Sequence, residues 1–126
     1  MEAAVSTSRY PFDETVERLQ RAIAAGGATL FATLDQRAAA QAAGLDLRPT
    51  TLLIFGNPKG GTPLMDAFPL TALDLPLKLL IWEENGAVRI GRVPVAAIAE
   101  RYAVTGLDDL LARLQASLDT LIATVT

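Results

Sequence analysis

The sequence predicts a single α+β domain over residues 1–126, with a mixed, largely antiparallel sheet and the element order βαβαβαββαα. Three observations support this fold class. The 126-residue chain has the usual length of one domain, and no linker or internal repeat divides it. Hydrophobic residues make up 51% of the chain, which is enough for one substantial core. Strand-like apolar runs alternate with helical periodicity until two strands meet at Asn85-Gly86, a dipeptide typical of hairpin turns.

Apolar periodicity and turn residues define the elements of the first half of the chain. They are a strand over 3–8, a helix from Phe12 to the pair Gly26-Gly27, a strand over 28–34, an alanine-rich helix from Asp35 to Gly44, and a strand over 51–55. In this interpretation the Asp35 side chain caps the second helix. The strand over 51–55 is apolar on both faces, as expected for a strand that is covered on both sides.

The second half begins with a glycine-rich segment and ends with two helices. The predicted elements are a loop over 56–61, a helix over 63–68, strands over 77–84 and 87–92, a helix over 95–102 and a C-terminal helix over about 107–124. Thr62 followed by Pro63 is the expected start of the first of these helices. Both faces of the hairpin are apolar, so we expect a helix or a second subunit to cover its outer face.

The absence of both histidine and cysteine excludes most familiar catalytic centres. It removes thiolate zinc sites, iron–sulfur clusters, cysteine nucleophiles and imidazole bases. The acidic pairs Glu83-Glu84 and Asp108-Asp109 do not replace them, because successive strand residues point to opposite faces and acids in the first turn of a helix favour its dipole. We therefore predict no catalytic residue, no metal site and no cofactor.

Charge and hydropathy limit the kinds of partner that the protein can have and its expected location in the cell. The formal net charge is −3, which gives no electrostatic reason to expect a nucleic acid. The longest apolar runs fall far short of the roughly 20 residues that a membrane helix needs. The first residues lack the apolar region of a secretory signal, so we expect a cytoplasmic protein with no membrane partner.

The segment from Gly56 to Met65 is the strongest candidate for a binding site. Its predicted ligand-binding residues are Gly56, Asn57, Lys59, Gly60, Gly61 and Thr62. Glycines let backbone amides approach a ligand, and Lys59 near a helix N-terminus would favour a small anion. The segment is not a P-loop, because Lys59 precedes the glycine pair rather than following it. The structural alternative is a tight turn whose glycines adopt positive φ angles and whose lysine points to water.

Two long runs resemble the DUF302 family, a bacterial and archaeal domain of unknown function. They cover residues 48–65 and 73–83, and with residues 12–16 upstream the resemblance extends over about residues 5 to 105. It implies a small α+β domain that commonly associates as a dimer and has no established activity. The chain departs from the family in two places. Asp35-Gln36 stands where members tend to have Asp-His, and 91–94 stands where they tend to have Tyr-Asn-Asp-Pro.

The leading hypothesis is a cytoplasmic, homodimeric, non-enzymatic domain that binds a small ligand or a protein partner at the Gly56 to Met65 segment. One alternative is an enzyme in which Lys59 is the electrophile or Schiff-base amine and Asp35, Asp66 or Glu83 the acid or base. A purely structural dimer module is the other. An enzyme should place Lys59 or a carboxylate in a concave, buried pocket.

Overall fold

Five antiparallel strands form the sheet at the centre of the protein. The computed structural model describes residues 2–126 and gives the strand order β1-β5-β4-β3-β2. The strands are β1 (Ala4–Thr7), β2 (Thr29–Asp35), β3 (Thr50–Gly56), β4 (Leu77–Glu84) and β5 (Ala87–Arg92). Every neighbouring pair among them is antiparallel. The predicted α+β fold class and element order are confirmed.

Five α-helices accompany the sheet, in the predicted order along the chain. They are α1 (Phe12–Ala25), α2 (Gln36–Ala42), α3 (Pro58–Ala67), α4 (Val95–Arg101) and α5 (Asp108–Ala123). A short 3₁₀ helix at Pro69–Leu73 lies between α3 and β4. The predicted cap of α2 is present, since Asp35 Oδ1 accepts the Ala38 N–H at 2.9 Å.

One face of the sheet packs against α1, α4 and α5 and forms the core. Alternate residues of β3, β4 and β5 point to this face, and apolar side chains from the three helices meet them. The fully buried members include Leu19, Leu53, Leu79, Ile81, Ile90 and Leu118. The positions of these helices on the sheet also determine where clefts remain between the helices and the end of the sheet.

The opposite face of the sheet carries an apolar row that crosses all five strands. The register aligns Leu34 with Leu52, Leu52 with Leu80, Leu80 with Gly91, and Gly91 with Val5. Val5 and Leu34 are exposed, while Leu52 and Leu80 are only half-buried. This outer face is therefore less well covered than the core face.

The hairpin between β4 and β5 closes as the sequence predicts. Asn85 and Gly86 have φ angles of 51° and 80°, which is the combination that a type I′ turn requires. On the outer face the Trp82 ring lies over Gly91, where a Cβ would come within 3.0 Å of the indole. Because Gly91 has no side chain, the Trp82 ring can lie against the sheet at this position.

The start of α3 differs from the sequence prediction. The helix begins at Pro58 rather than at Pro63, so the expected loop over 56–61 is largely the first turn of a helix. Asn57 is the N-cap, and its side chain accepts the Lys59 N–H at 3.0 Å. Asn57-Pro58 is itself a cap followed by proline at N1, the same signal as Thr62-Pro63. The earlier signal starts the helix, and Pro63 lies inside it.

Candidate functional site

A cavity of about 160 Å³ opens beside the first turns of α3. Apolar groups form most of its wall, and Asn57 and Thr62 are its polar side chains. The lining residues are Phe31, Gly56, Asn57, Pro58, Gly61, Thr62, Met65, Leu75, Pro76, Leu77 and Leu114. Four of the six predicted ligand-binding residues are thus in the wall, while Lys59 and Gly60 are not.

None of the glycines of this segment has a positive φ angle, and a close contact explains Gly60. The glycines with positive φ all lie elsewhere in the described chain. A Cβ at Gly60 would lie 2.8 Å from Leu114 Cδ2, closer than real Cβ contacts allow. A Cβ at Gly61 would meet Met65 Cε at 3.6 Å, which is an ordinary contact. Gly60 therefore permits the close approach of α3 and α5, and this replaces the interpretation of the segment as a tight glycine turn.

Backbone amides at the start of α3 are already used within the protein. Pro58 has no N–H, and the Lys59 N–H is bonded to the Asn57 side chain. The N–H groups of Gly60 and Gly61 both bond to the Asn57 carbonyl at 2.9 Å. The Lys59 side chain is exposed and lies outside the cavity wall. The anionic ligand stays a prediction.

A second cavity, of about 590 Å³, lies between the end of α1 and the second half of α5. It adjoins the first, with which it shares Gly56, Asn57, Leu77 and Leu114. Small side chains dominate the rest of its wall. They are Ala22, Ala25, Gly26, Ala28, Ala116, Ser117, Thr120 and Thr124. Neither wall contains a charged residue.

A third cavity, of about 480 Å³, gathers the charged groups Asp13, Asp35, Arg37 and Glu83. Two of the carboxylates of the enzyme alternative are therefore neighbours here. Lys59 does not line this cavity, and it is exposed on α3. Within residues 2–126, no group of three or more aspartate or glutamate side chains is arranged to hold a metal ion. Lys59 therefore does not share a cavity with Asp35 and Glu83, and Asp66, the third acid of this alternative, is exposed on α3 and lines none of the three cavities.

A polar cluster ties α4 to the segment before β4. Arg101 Nη1 donates to Asp74 Oδ2 at 2.6 Å, and the Tyr102 hydroxyl donates to the same oxygen. Arg101 also pairs with Glu2. The hydrogen bond from Tyr102, and then that from Arg101, lower the pKa of Asp74, and the Asp74 carboxylate raises the pKa of Tyr102. No signal in the sequence marks this cluster, because Glu2 and Asp74 are far from Arg101 and Tyr102 in the chain.

Most of the apolar cavity wall was also missed by sequence reasoning. Phe31, Leu75 and Leu114 come from β2, from the segment before β4 and from α5. Leu114 belongs to the leucine stripe of the last helix, in which no feature distinguishes it from the core leucines. Only the packing of α3 on α5 gives it a separate role.

Among residues 2–126, no helix has the combination of length and apolar character that crossing a bilayer requires.

Curated relatives include the fluoride-specific ion channel FluC 1 of Brucella suis, which is 40% identical over 98 residues. That match covers 77% of this chain but 39% of the relative. FluC 2 of Brucella melitensis is also 40% identical over 98 residues, which are 36% of its length. The chain therefore spans well under half of the curated relatives that it matches.

A solved structure shows the same fold. The crystal structure of an uncharacterized conserved DUF302 protein from Bacillus stearothermophilus superposes with a TM-score of 0.90. It covers 100% of this chain and 99% of that one, at 22% sequence identity. The model of the domain of unknown function DUF302 matches residues 4–125. The chain therefore belongs to the DUF302 family.

Proposed function

We propose that this protein is a homodimeric, non-enzymatic domain that binds a small, uncharged, largely apolar ligand in the cavity beside α3. The observation that carries the proposal is the apolar wall of that cavity, with Asn57 and Thr62 as its polar side chains. Ligand sites are typically concave and mostly apolar, with a few polar groups that orient the ligand. A cavity of about 150 Å³ lined by apolar side chains is enough to bind a benzene-sized molecule.

The positions of the titratable groups support binding rather than catalysis. No charged side chain lines the cavity beside α3, so no acid or base there faces a bound molecule. Lys59 lies outside the wall and is exposed to water. An amine nucleophile usually needs burial or a cationic neighbour to be reactive at neutral pH.

The apolar row on the outer face of the sheet supports the homodimer. Large exposed apolar surfaces are uncommon on monomers, and a two-fold interface uses the same surface of both subunits. Val5 is 51% and Leu34 is 42% exposed, at opposite ends of the row. The predicted cytoplasmic location stays a prediction.

Native mass spectrometry of the protein purified gently from its own host tests both parts of the proposal. We expect a dimer that retains a defined small-molecule mass. Thr62→Phe, at an exposed position of the cavity wall, should lose that mass. Thr105→Phe is the matched control, because Thr105 is exposed and outside the wall. An empty protein, or a mass that both variants retain, would contradict the binding site, and a monomer would contradict the dimer.

The relatives from Brucella favour a second candidate function, that of an accessory domain in fluoride transport. The match includes 98 residues of proteins that are described as fluoride-specific ion channels. It covers 39% of the first of them, and the described part of this chain has no helix that could cross a bilayer. The pore of those relatives would then be built by the rest of their length.

Fluoride binding separates the two candidates. In ¹⁹F NMR, an accessory domain that senses fluoride should broaden the fluoride signal in a saturable way, and Lys59→Ala should weaken this effect. Chloride at matched ionic strength is the control for nonspecific binding. An unchanged fluoride signal would argue against fluoride sensing and leave the apolar ligand as the supported function.

A further inference from the structure

The two cavities adjoin each other at Leu114. They share Gly56, Asn57, Leu77 and Leu114 in their linings, so the two cavities meet at these residues. The first cavity, of about 160 Å³, is small for a ligand site, while the second, of about 590 Å³, lies within the usual range of roughly 300 to 1,000 Å³. A ligand that starts in the first cavity can therefore extend into the second. The two cavities together are called the α5 channel below.

The lining of the α5 channel offers a ligand no charged partner. Neither lining contains a lysine, arginine, aspartate or glutamate. A charge on the ligand would find no partner in either lining, and any burial of that charge there would be costly, so an uncharged ligand fits the lining best. Alanines on α1 and α5 keep the second cavity open, because their side chains do not fill the space between the helices.

One side-chain amide is placed to orient such a ligand. Asn57 lines both cavities, and its Oδ1 is occupied by the Lys59 N–H. Asn57 is exposed, no hydrogen bond within residues 2–126 uses its Nδ2 group, and this group is a hydrogen-bond donor only. In the second cavity, the hydroxyls of Thr120 and Thr124 already donate to carbonyls of α5 itself and of its C-terminal turn. A ligand group that meets Asn57 Nδ2 must accept a hydrogen bond.

We propose that the α5 channel binds an elongated, uncharged molecule with an unbranched aliphatic part and one hydrogen-bond acceptor. The acceptor is held by Asn57 Nδ2 where the cavities join, and the aliphatic part lies between α1 and α5. This inference rests on the proposed ligand-binding function and adds the shape and chemical class of the ligand. Straight-chain methyl ketones match this class, because they are neutral and carry one acceptor and no donor.

The dependence of affinity on chain length tests the proposal. The full-length protein is titrated with methyl ketones from 2-pentanone to 2-undecanone, and binding is measured by isothermal titration calorimetry. Burial of each added methylene should tighten binding about fourfold until the channel is filled. An affinity that stops rising at the shortest ketones would overturn the elongated ligand but leave the first cavity as a binding site. If no ketone of any length binds, the proposed function fails as well.

Two variants with matched controls locate the ligand. Ser117 is exposed and lines only the second cavity, so Ser117→Leu should abolish the gain from longer chains and leave 2-pentanone unaffected. Ala112→Leu is the control, at an exposed position of α5 outside both walls. Equal chain-length dependence in the two variants would place the ligand elsewhere and overturn the proposal.

Asn57→Asp tests the donor without removing the helix cap. Aspartate caps helices about as well as asparagine but has no Nδ2 group to donate. The variant should bind every ketone about three- to tenfold more weakly, while its unfolding midpoint stays close to that of the wild type. Unchanged ketone affinity would show that Asn57 does not hold the acceptor and would overturn that part of the proposal.

Discussion

Replacement of Gly60 by alanine probes the contact that joins α3 to α5. The new Cβ would lie 2.8 Å from Leu114 Cδ2, so the leucine side chain must move. Gly61→Ala is the matched control on the same helix, since its Cβ would be 3.6 Å from Met65 Cε. The two changes are chemically identical and differ only in what the added methyl group meets.

The expected magnitudes follow from these two distances. Alanine is favoured over glycine inside a helix by up to about 1 kcal/mol, so Gly61→Ala should stabilise the protein by about that amount. At Gly60 the same gain is offset by overpacking, which typically costs about 1–3 kcal/mol. The flexible end of Leu114 keeps this cost near the lower limit. Gly60→Ala should therefore be less stable than Gly61→Ala by about 1–2 kcal/mol.

Urea unfolding followed by circular dichroism measures this difference. The same comparison in a Leu114→Ala background is a double-mutant cycle, in which the penalty at Gly60 should disappear. Equal stability of Gly60→Ala and Gly61→Ala in the wild-type background would refute the close contact. Strong destabilisation by both would instead indicate the positive φ angles of a tight glycine turn.

Three further changes test other parts of the structure. Asn57→Ala should destabilise the protein by about 1 kcal/mol in urea unfolding, because it removes the cap of α3. Asp74→Asn should cost about 1 kcal/mol at neutral pH, since the carboxylate accepts the Tyr102 hydroxyl. The hydrogen bond from Tyr102 lowers the pKa of Asp74, so this stability is fully present above the ordinary carboxyl pKa of about 4 and is lost as the pH falls through the lower folded value. Gly91→Ala should displace the Trp82 ring and shift its fluorescence emission, because the new Cβ would lie 3.0 Å from the indole.

Each of these three changes has an outcome that would contradict its reasoning. Wild-type stability of Asn57→Ala would mean that the cap does not hold α3. A stability difference for Asp74→Asn that is independent of pH between 2 and 7 would mean that the carboxylate charge is not involved. An unchanged emission spectrum of Gly91→Ala would contradict the close contact between Trp82 and Gly91.

Local signals were enough to predict the order of the elements. Asn85-Gly86 accepts positive φ angles, and the Asp35 side chain reaches the Ala38 N–H, so both features depend only on neighbouring residues. The amphipathic patterns of α1 and α5 predict which side of each helix is buried, because one apolar stripe must face the core.

The start of α3 is a feature that local sequence signals did not predict correctly. Asn57-Pro58 and Thr62-Pro63 both place a cap residue before a proline, and asparagine is the better cap of the two, but the glycines at 60 and 61 disfavour a helix over the earlier start. The earlier start lets Gly60 approach Leu114, a contact between segments that are far apart in the chain. The role of Gly60 in this contact is visible only in the packing of α3 on α5.

The candidate site depends on tertiary structure even more strongly. The predicted segment does border the cavity, since Gly56, Asn57, Gly61 and Thr62 line it. The apolar wall from Phe31, Leu75 and Leu114 could not be predicted, since these residues resemble ordinary core residues in the sequence. This wall changes the expected ligand chemistry from a small anion to an uncharged molecule.

NMR of the methionine methyl group tests the central claim most directly. Of the two methionines in the sequence, Met65 lines the cavity beside α3, and a Met65→Leu variant assigns its resonance. The indole of Trp82, the single tryptophan, lies outside the cavity walls and serves as the internal control. Titration with 2-heptanone should shift the Met65 methyl resonance in a saturable way and leave the Trp82 resonance in place. An unchanged Met65 resonance, or equal shifts of both, would contradict a ligand site beside α3.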